Sequence, residues 1–128
     1  MSSVLVVLAH VLLGGAFVIF GIRNWRFSVP RLSGILETKR FPQPLNVVRF
    51  GIGLQTLGGL LTLLAIFVPA AGVAGGAIMI VFLVMAAVLF HPMWQFAGEA
   101  RMPHTAATLM NSSLCGAFLL VIARGLGA

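Results

Sequence analysis

The sequence predicts an all-α polytopic membrane protein: a bundle of four transmembrane helices, with a short interfacial amphipathic segment after the first. Three observations carry this. Of 128 residues, 60% are hydrophobic and only 8% charged, against roughly a quarter charged in a soluble domain, so the chain lacks the charge to keep a water-facing surface wet. Four apolar segments each run for about the 20 residues needed to cross ~30 Å of hydrocarbon. None of them alternates apolar and polar residues as a barrel strand does, and a backbone in lipid must satisfy its own hydrogen bonds, which makes the segments helices.

The helices are expected at about 4–22, 46–68, 70–90 and 105–123, within one domain covering 1–128. The first follows no basic leader and is too long for the apolar region of a secretory signal, so it reads as a mature transmembrane helix. Within it His10, Gly14, Phe17, Gly21 and Asn24 recur at steps of four and three, which puts them on one helical face; that face is expected to look into the bundle. The long connection after it contains PRLSGILETKR, where Leu32, Ile35 and Leu36 share a face among Arg31, Glu37, Lys39 and Arg40; this is the amphipathic segment. FPQP ends it, because proline stops helices and favours extended turns. Asn46 and Arg49 open the second helix, and Gln55 lies deeper. VPAAG, with Pro69 and Gly72, makes a tight hairpin to the third helix, since proline lacks the N–H that a helix interior needs. FHPMWQF, residues 90–96, closes the third helix and leads through a polar loop to the fourth.

Lipid tails are as apolar as leucine, so small residues that let backbones approach supply the drive to associate. Gly14 and Gly21 on the first helix, Gly72 and Gly76 on the third, and Ser112 and Gly116 on the fourth are the expected packing positions.

The net charge of +6 does not point to nucleic acid, because the basic residues sit at the ends of apolar runs instead of on a soluble face. Seven of the eight, namely Arg23, Arg26, Arg31, Lys39, Arg40, Arg49 and Arg101, flank the first and third connections; only Arg124 lies toward the other side. By the positive-inside rule connections 23–45 and 91–104 are cytoplasmic and both termini are outside. Attraction to anionic headgroups is the first partner reading of this charge. Cys115 is the single cysteine, so no internal disulfide forms and the thiol reads as a small buried side chain.

Three histidines in a helical bundle raise the question of haem or metal. His10 lies near the outer end of the first helix and His91 and His104 at the cytoplasmic end, so the bilayer separates them, and the latter pair has no cysteine or carboxylate cluster at metal spacing; no metal site is expected. Glu37 and Glu99 are the two acids, both outside the helices, where a membrane proton relay does not place them. His10 then reads as polar glue to a neighbouring helix. There is no nucleophile elbow, phosphate loop or dinucleotide fingerprint, and no catalytic residue is assigned. What remains is a polar cluster at the cytoplasmic end: Asn24, Arg49, His91, Trp94 and Asn111, on four different helices. It reads either as interface anchors or as a site for a quinone, a lipid headgroup or a partner's polar group.

HVLLGGAFVIFGIRN, FPQPLNVVRFGIGLQTLGGLLTLL, and FHPMWQF with MNSSLCGAFLL resemble the first, second, and third and fourth helices of the DoxX family of small four-helix membrane proteins. The chain has Asn24 where that family often has lysine, Met93 where it has phenylalanine before the tryptophan, and Gln95 where an acid often follows. His91, Trp94 and Asn111 match the family's pattern. The resemblance implies a small subunit of a membrane redox system in the bacterial cytoplasmic membrane, quinone-linked in some members. Two functional readings stand. One is a non-catalytic subunit that braces a larger membrane complex of electron transfer, with no cofactor of its own; its partners are other integral membrane subunits and a soluble redox protein on the cytoplasmic side. The other is a DoxX-like component of a membrane oxidoreductase that binds a quinone or lipid headgroup.

Overall fold

The computed structural model describes residues 2–128. It is all-α: α1 (Ser2–Phe27), α2 (Val29–Thr38), α3 (Pro44–Leu64), α4 (Pro69–Phe90) and α5 (Met102–Gly125), with 3₁₀ turns at Met93–Gln95 and Gly98–Arg101 between α4 and α5. Four segments, 3–27, 44–64, 69–95 and 98–125, are long and apolar enough to cross a membrane. The chain is an integral membrane protein, and its outer surface fits that solvent: Leu12, Phe67 and Leu120 are each at least 70% exposed, which only lipid makes tolerable over a whole surface.

The helix ends move from the expected ones for local reasons. α1 runs on through Arg23–Phe27, which are all compatible with a helix. Only Ser28 separates it from α2, where Pro30 sits in the first turn, a position whose N–H needs no partner. The long first connection is therefore mostly helix. Its remainder turns sharply at Arg40 (φ 54°) and Gln43 (φ 49°), left-handed conformations that are strained for side-chain-bearing residues. α3 starts on Pro44 and ends at Leu64, four residues short of the apolar run, because Ile66–Val68 turn into Pro69, which begins α4. α5 begins at Met102, three residues early, with Pro103 in its first turn.

α2 carries the expected amphipathic pattern, and its apolar face packs on protein. Leu36 is fully buried against Val48 and Ile52 of α3, with Leu89 and Phe90 of α4 beside them. Glu37, Lys39 and Arg40 stay exposed. The Lys39 ammonium donates to the Leu89 carbonyl, one of the last α4 carbonyls that no intrahelical N–H reaches. A cation there also complements the helix dipole. Thus α2 is fastened across the α3–α4 seam at the end of the bundle that carries both long connections, called here the loop end.

The four long helices follow one another in space: α1 packs on α3, α3 on α4, and α4 on α5. Small residues set the closest contacts. Gly14 of α1 and Gly59 of α3 lie back to back, so that a Cβ on Gly14 would stand 2.7 Å from the Gly59 carbonyl oxygen and one on Gly59 2.9 Å from that of Gly14. Gly76 of α4 meets the Phe118 carbonyl of α5 in the same way, at 3.0 Å, and Gly72 meets Val121. Gly21 lies against Thr56. Gly116 does not pack: nothing lies within 4 Å of its would-be Cβ, and Ser112 is exposed one turn earlier. This departs from the expected packing role of the pair. α5 turns its Phe118–Val121–Ile122 side toward α4, and that rotation leaves Ser112 and Gly116 outside.

Phe17 bridges the first and last helices. Its ring centroid is 5.6 Å from Phe118 and 6.5 Å from Phe82, and with Met79, Leu83 and Val121 these residues form the central core.

Candidate functional site

The face of α1 that carries His10, Gly14, Phe17 and Gly21 is buried, and Asn24 continues it at the loop end, half-buried. His10 does not reach another helix. Its Nδ1 hydrogen-bonds the Val6 carbonyl, 2.7 Å away on the same helix, and its Nε2 is buried without a partner. The expected inter-helix bond is absent: among the described residues no group of another helix bonds either ring nitrogen.

Asn24 does reach across. Its Nδ2 donates to Gln55 Oε1 of α3 at 3.1 Å, and its Oδ1 accepts from the Ser28 hydroxyl at 3.1 Å. In this arrangement Gln55 gives its oxygen to Asn24 and keeps its Nε2 hydrogens. Among the described residues no acceptor takes them, although Gln55 is only 4% exposed. Among the described residues the fully enclosed side-chain atoms without a partner are His10 Nε2 and His104 Nδ1; the Gln55 nitrogen is not one of them, and its spare donors keep access to the groove space beside it.

Gln55 borders two grooves. The first, about 470 Å³, lies under α2 where α3 and α4 part toward the loop end. Its walls are apolar, including Phe50, Leu54, Val81 and Met85, and its polar groups are Asn24, Arg31, Gln55 and His91. The second, about 580 Å³, opens between α1 and α5, floored by α4, with Phe20 and Leu114 on its sides and Gln55, His91 and Asn111 as its polar groups. Both are half-open troughs along the outside of the bundle, with mostly apolar walls and a few polar groups.

The five residues expected to converge separate into three groups. Asn24 and His91 line the first groove, and His91 and Asn111 the second. The His91 carbonyl accepts from Thr108 at 3.3 Å, and the Asn111 Nδ2 donates to the Leu83 carbonyl at 3.2 Å, so Asn111 also ties α5 to α4. Arg49 and Trp94 line neither groove. Arg49 lies on the exposed side of α3, one residue past buried Val48. Trp94, 59% exposed, stands on the 3₁₀ turn outside the bundle. The basic residue at the first groove is Arg31, brought there by the folding back of α2. The amphipathic spacing of α2 marks Leu32 and Leu36 as inward but says nothing of which helices they cover, so Arg31 was not legible as a groove residue.

His104 stacks on Phe96, centroids 4.0 Å apart and 14° from parallel, and lies 5.6 Å from the His91 ring. Among the described residues no three His, Cys, Asp or Glu side chains gather closely enough to hold a metal ion. A comparison with known proteins finds no matching family model, no matching curated protein and no matching solved structure.

Proposed function

We infer that the protein is a small, non-catalytic membrane subunit whose loop end holds the polar head of a membrane amphiphile. The observation that supports this most is Gln55. Its side chain is almost wholly covered, yet its amide nitrogen has unused donors where it borders two apolar grooves, and a carbonyl-bearing headgroup would take them. His91 and Arg31 stand at the same groove and suit a polar or anionic head. The resemblance of the helix ends to the DoxX family favours a quinone as one such headgroup and a redox complex of the bacterial cytoplasmic membrane as the setting. Seven basic residues around the loop end favour a cytoplasmic location for it, and the same charge suits docking of a soluble redox partner.

The test is purification in a mild detergent, followed by solvent extraction and mass spectrometry of retained quinones and lipids. Gln55→Leu and His91→Ala should each lose the retained amphiphile, while Arg49→Ala, on the exposed side of α3, should keep it. Retention by both groove variants at the wild-type level would sink the reading.

A second reading is favoured by α5. Ser112 and Gly116 are four apart, face outward and leave room for another backbone, which suits bracing against a larger membrane subunit. Gly116→Leu should then detach the chain from its co-purifying partners without unfolding it, and unchanged co-purification would count against this face.

A further inference from the structure

The two grooves share Gln55, Phe82, Ala86 and His91 in their walls. These four side chains therefore stand between them, and Gln55 faces both. One groove leaves this divide between α3 and α4, the other between α1 and α5, so two separate apolar paths lead from a single polar point. Neither groove contains an acidic side chain; Arg31 is the charged group. A single-tailed amphiphile fills one path and leaves the other without an occupant.

Resting on the headgroup reading above, we propose that one anionic two-chain phospholipid of the surrounding membrane fills both grooves. One acyl chain lies in each groove. The chains part at Gln55, whose Nε2 donates to an ester carbonyl of the glycerol. The phosphate lies at the loop end against Arg31, where a guanidinium binds it by charge-assisted hydrogen bonds. Asn24 holds the Gln55 oxygen, which leaves its amide nitrogen free for the ligand. α2, fastened to α4 by Lys39, roofs the first groove.

The experiment is native mass spectrometry of the full chain in detergent, titrated with diacyl phosphatidylglycerol, diacyl phosphatidylcholine and monoacyl phosphatidylglycerol. Diacyl phosphatidylglycerol should bind at one per chain, at least about tenfold more tightly than either of the others, since the monoacyl lipid forgoes burial of the second chain and the choline ammonium cancels the phosphate's charge and is repelled by Arg31. Gly51→Leu puts a side chain into the open space of the first groove, and Ala16→Phe does so in the second. Each should weaken diacyl binding by about tenfold or more. Met85→Trp is a second filler of the first groove, and an unchanged elution volume and helical circular dichroism certify each fold.

If monoacyl and diacyl phosphatidylglycerol bind alike, or only the first-groove variants matter, the occupant has one chain; the two-chain proposal falls and the headgroup reading stands. Equal binding of the choline and glycerol lipids overturns the anionic assignment. If no amphiphile binds in a manner that Gln55→Leu alters, the headgroup reading falls as well.

Discussion

Gly14→Ala tests whether the α1–α3 contact is made backbone to backbone. The added methyl would stand 2.7 Å from the Gly59 carbonyl oxygen and 3.0 Å from the Leu63 nitrogen. Ordinary contact begins at 3.4 Å, so the shortfall is about 0.7 Å. Both atoms are backbone, and no side-chain rotation relieves them, so α1 and α3 must move apart along the seam. Overpacking of this kind costs about 1–3 kcal/mol. Gly15 is the internal control: nothing lies within 4 Å of its would-be Cβ. There the same chemical change meets no neighbour, and alanine's higher helix propensity works in its favour by up to about 1 kcal/mol. Equilibrium unfolding in mixed micelles, titrated with sodium dodecyl sulfate and followed by circular dichroism, should place Gly14→Ala about 1–3 kcal/mol below the parent and Gly15→Ala at or above it. Gly59→Ala should match Gly14→Ala. The double variant should lose less than both losses together, because the first methyl already separates the helices. Equal stability of Gly14→Ala and Gly15→Ala would show that α1 does not approach α3 through Gly14.

Phe118→Ala removes a fully buried ring that contacts Phe17; lipid is as apolar as the core, so only the packing and cavity loss remains, about 1–2 kcal/mol in the same titration, and no measurable loss would place the α1–α5 bridge elsewhere. Asn24→Ala leaves the Gln55 oxygen without its donor and should cost about 0.6–1.7 kcal/mol, the range of inter-helix hydrogen bonds in membranes; Asn24→Ala added to Gln55→Leu should then cost almost nothing more, and full additivity would mean that the two amides do not pair. Lys39→Met frees the Leu89 carbonyl, so hydrogen exchange across 29–38 should quicken while 69–80 stays unchanged; equal protection in both variants would show that the cap does not hold α2.

Much of the architecture was legible because lipid is a demanding solvent. Four runs of the right length had to be helices, and Leu32, Ile35 and Leu36 marked α2 before any contact was known. The steps of four and three from His10 to Asn24 also identified the inward face of α1, since His10 and Asn24 share that face with Gly14 and Gly21. The candidate site was legible in part. Asn24, His91 and Asn111 border the grooves, whereas Arg49 and Trp94 face away. Arg31 and the pairing of Gln55 with Asn24 emerged only in three dimensions, because they depend on α2 folding back and on the register between α1 and α3.

The sequence by itself determined the number of spans, their approximate ends, the amphipathic nature of α2 and the crowding of basic residues at one end. Each follows from composition along the chain and the cost of an unsatisfied backbone in hydrocarbon. Only the tertiary structure decided which small residues are contacts. Gly14, Gly59 and Gly76 meet a neighbour's backbone, and Gly15, Gly53 and Gly116 meet nothing. A missing side chain permits a close approach but does not direct one. In helices that are apolar nearly all round, burial gives little preference to one rotation over another, so the faces are chosen by how the four surfaces interlock.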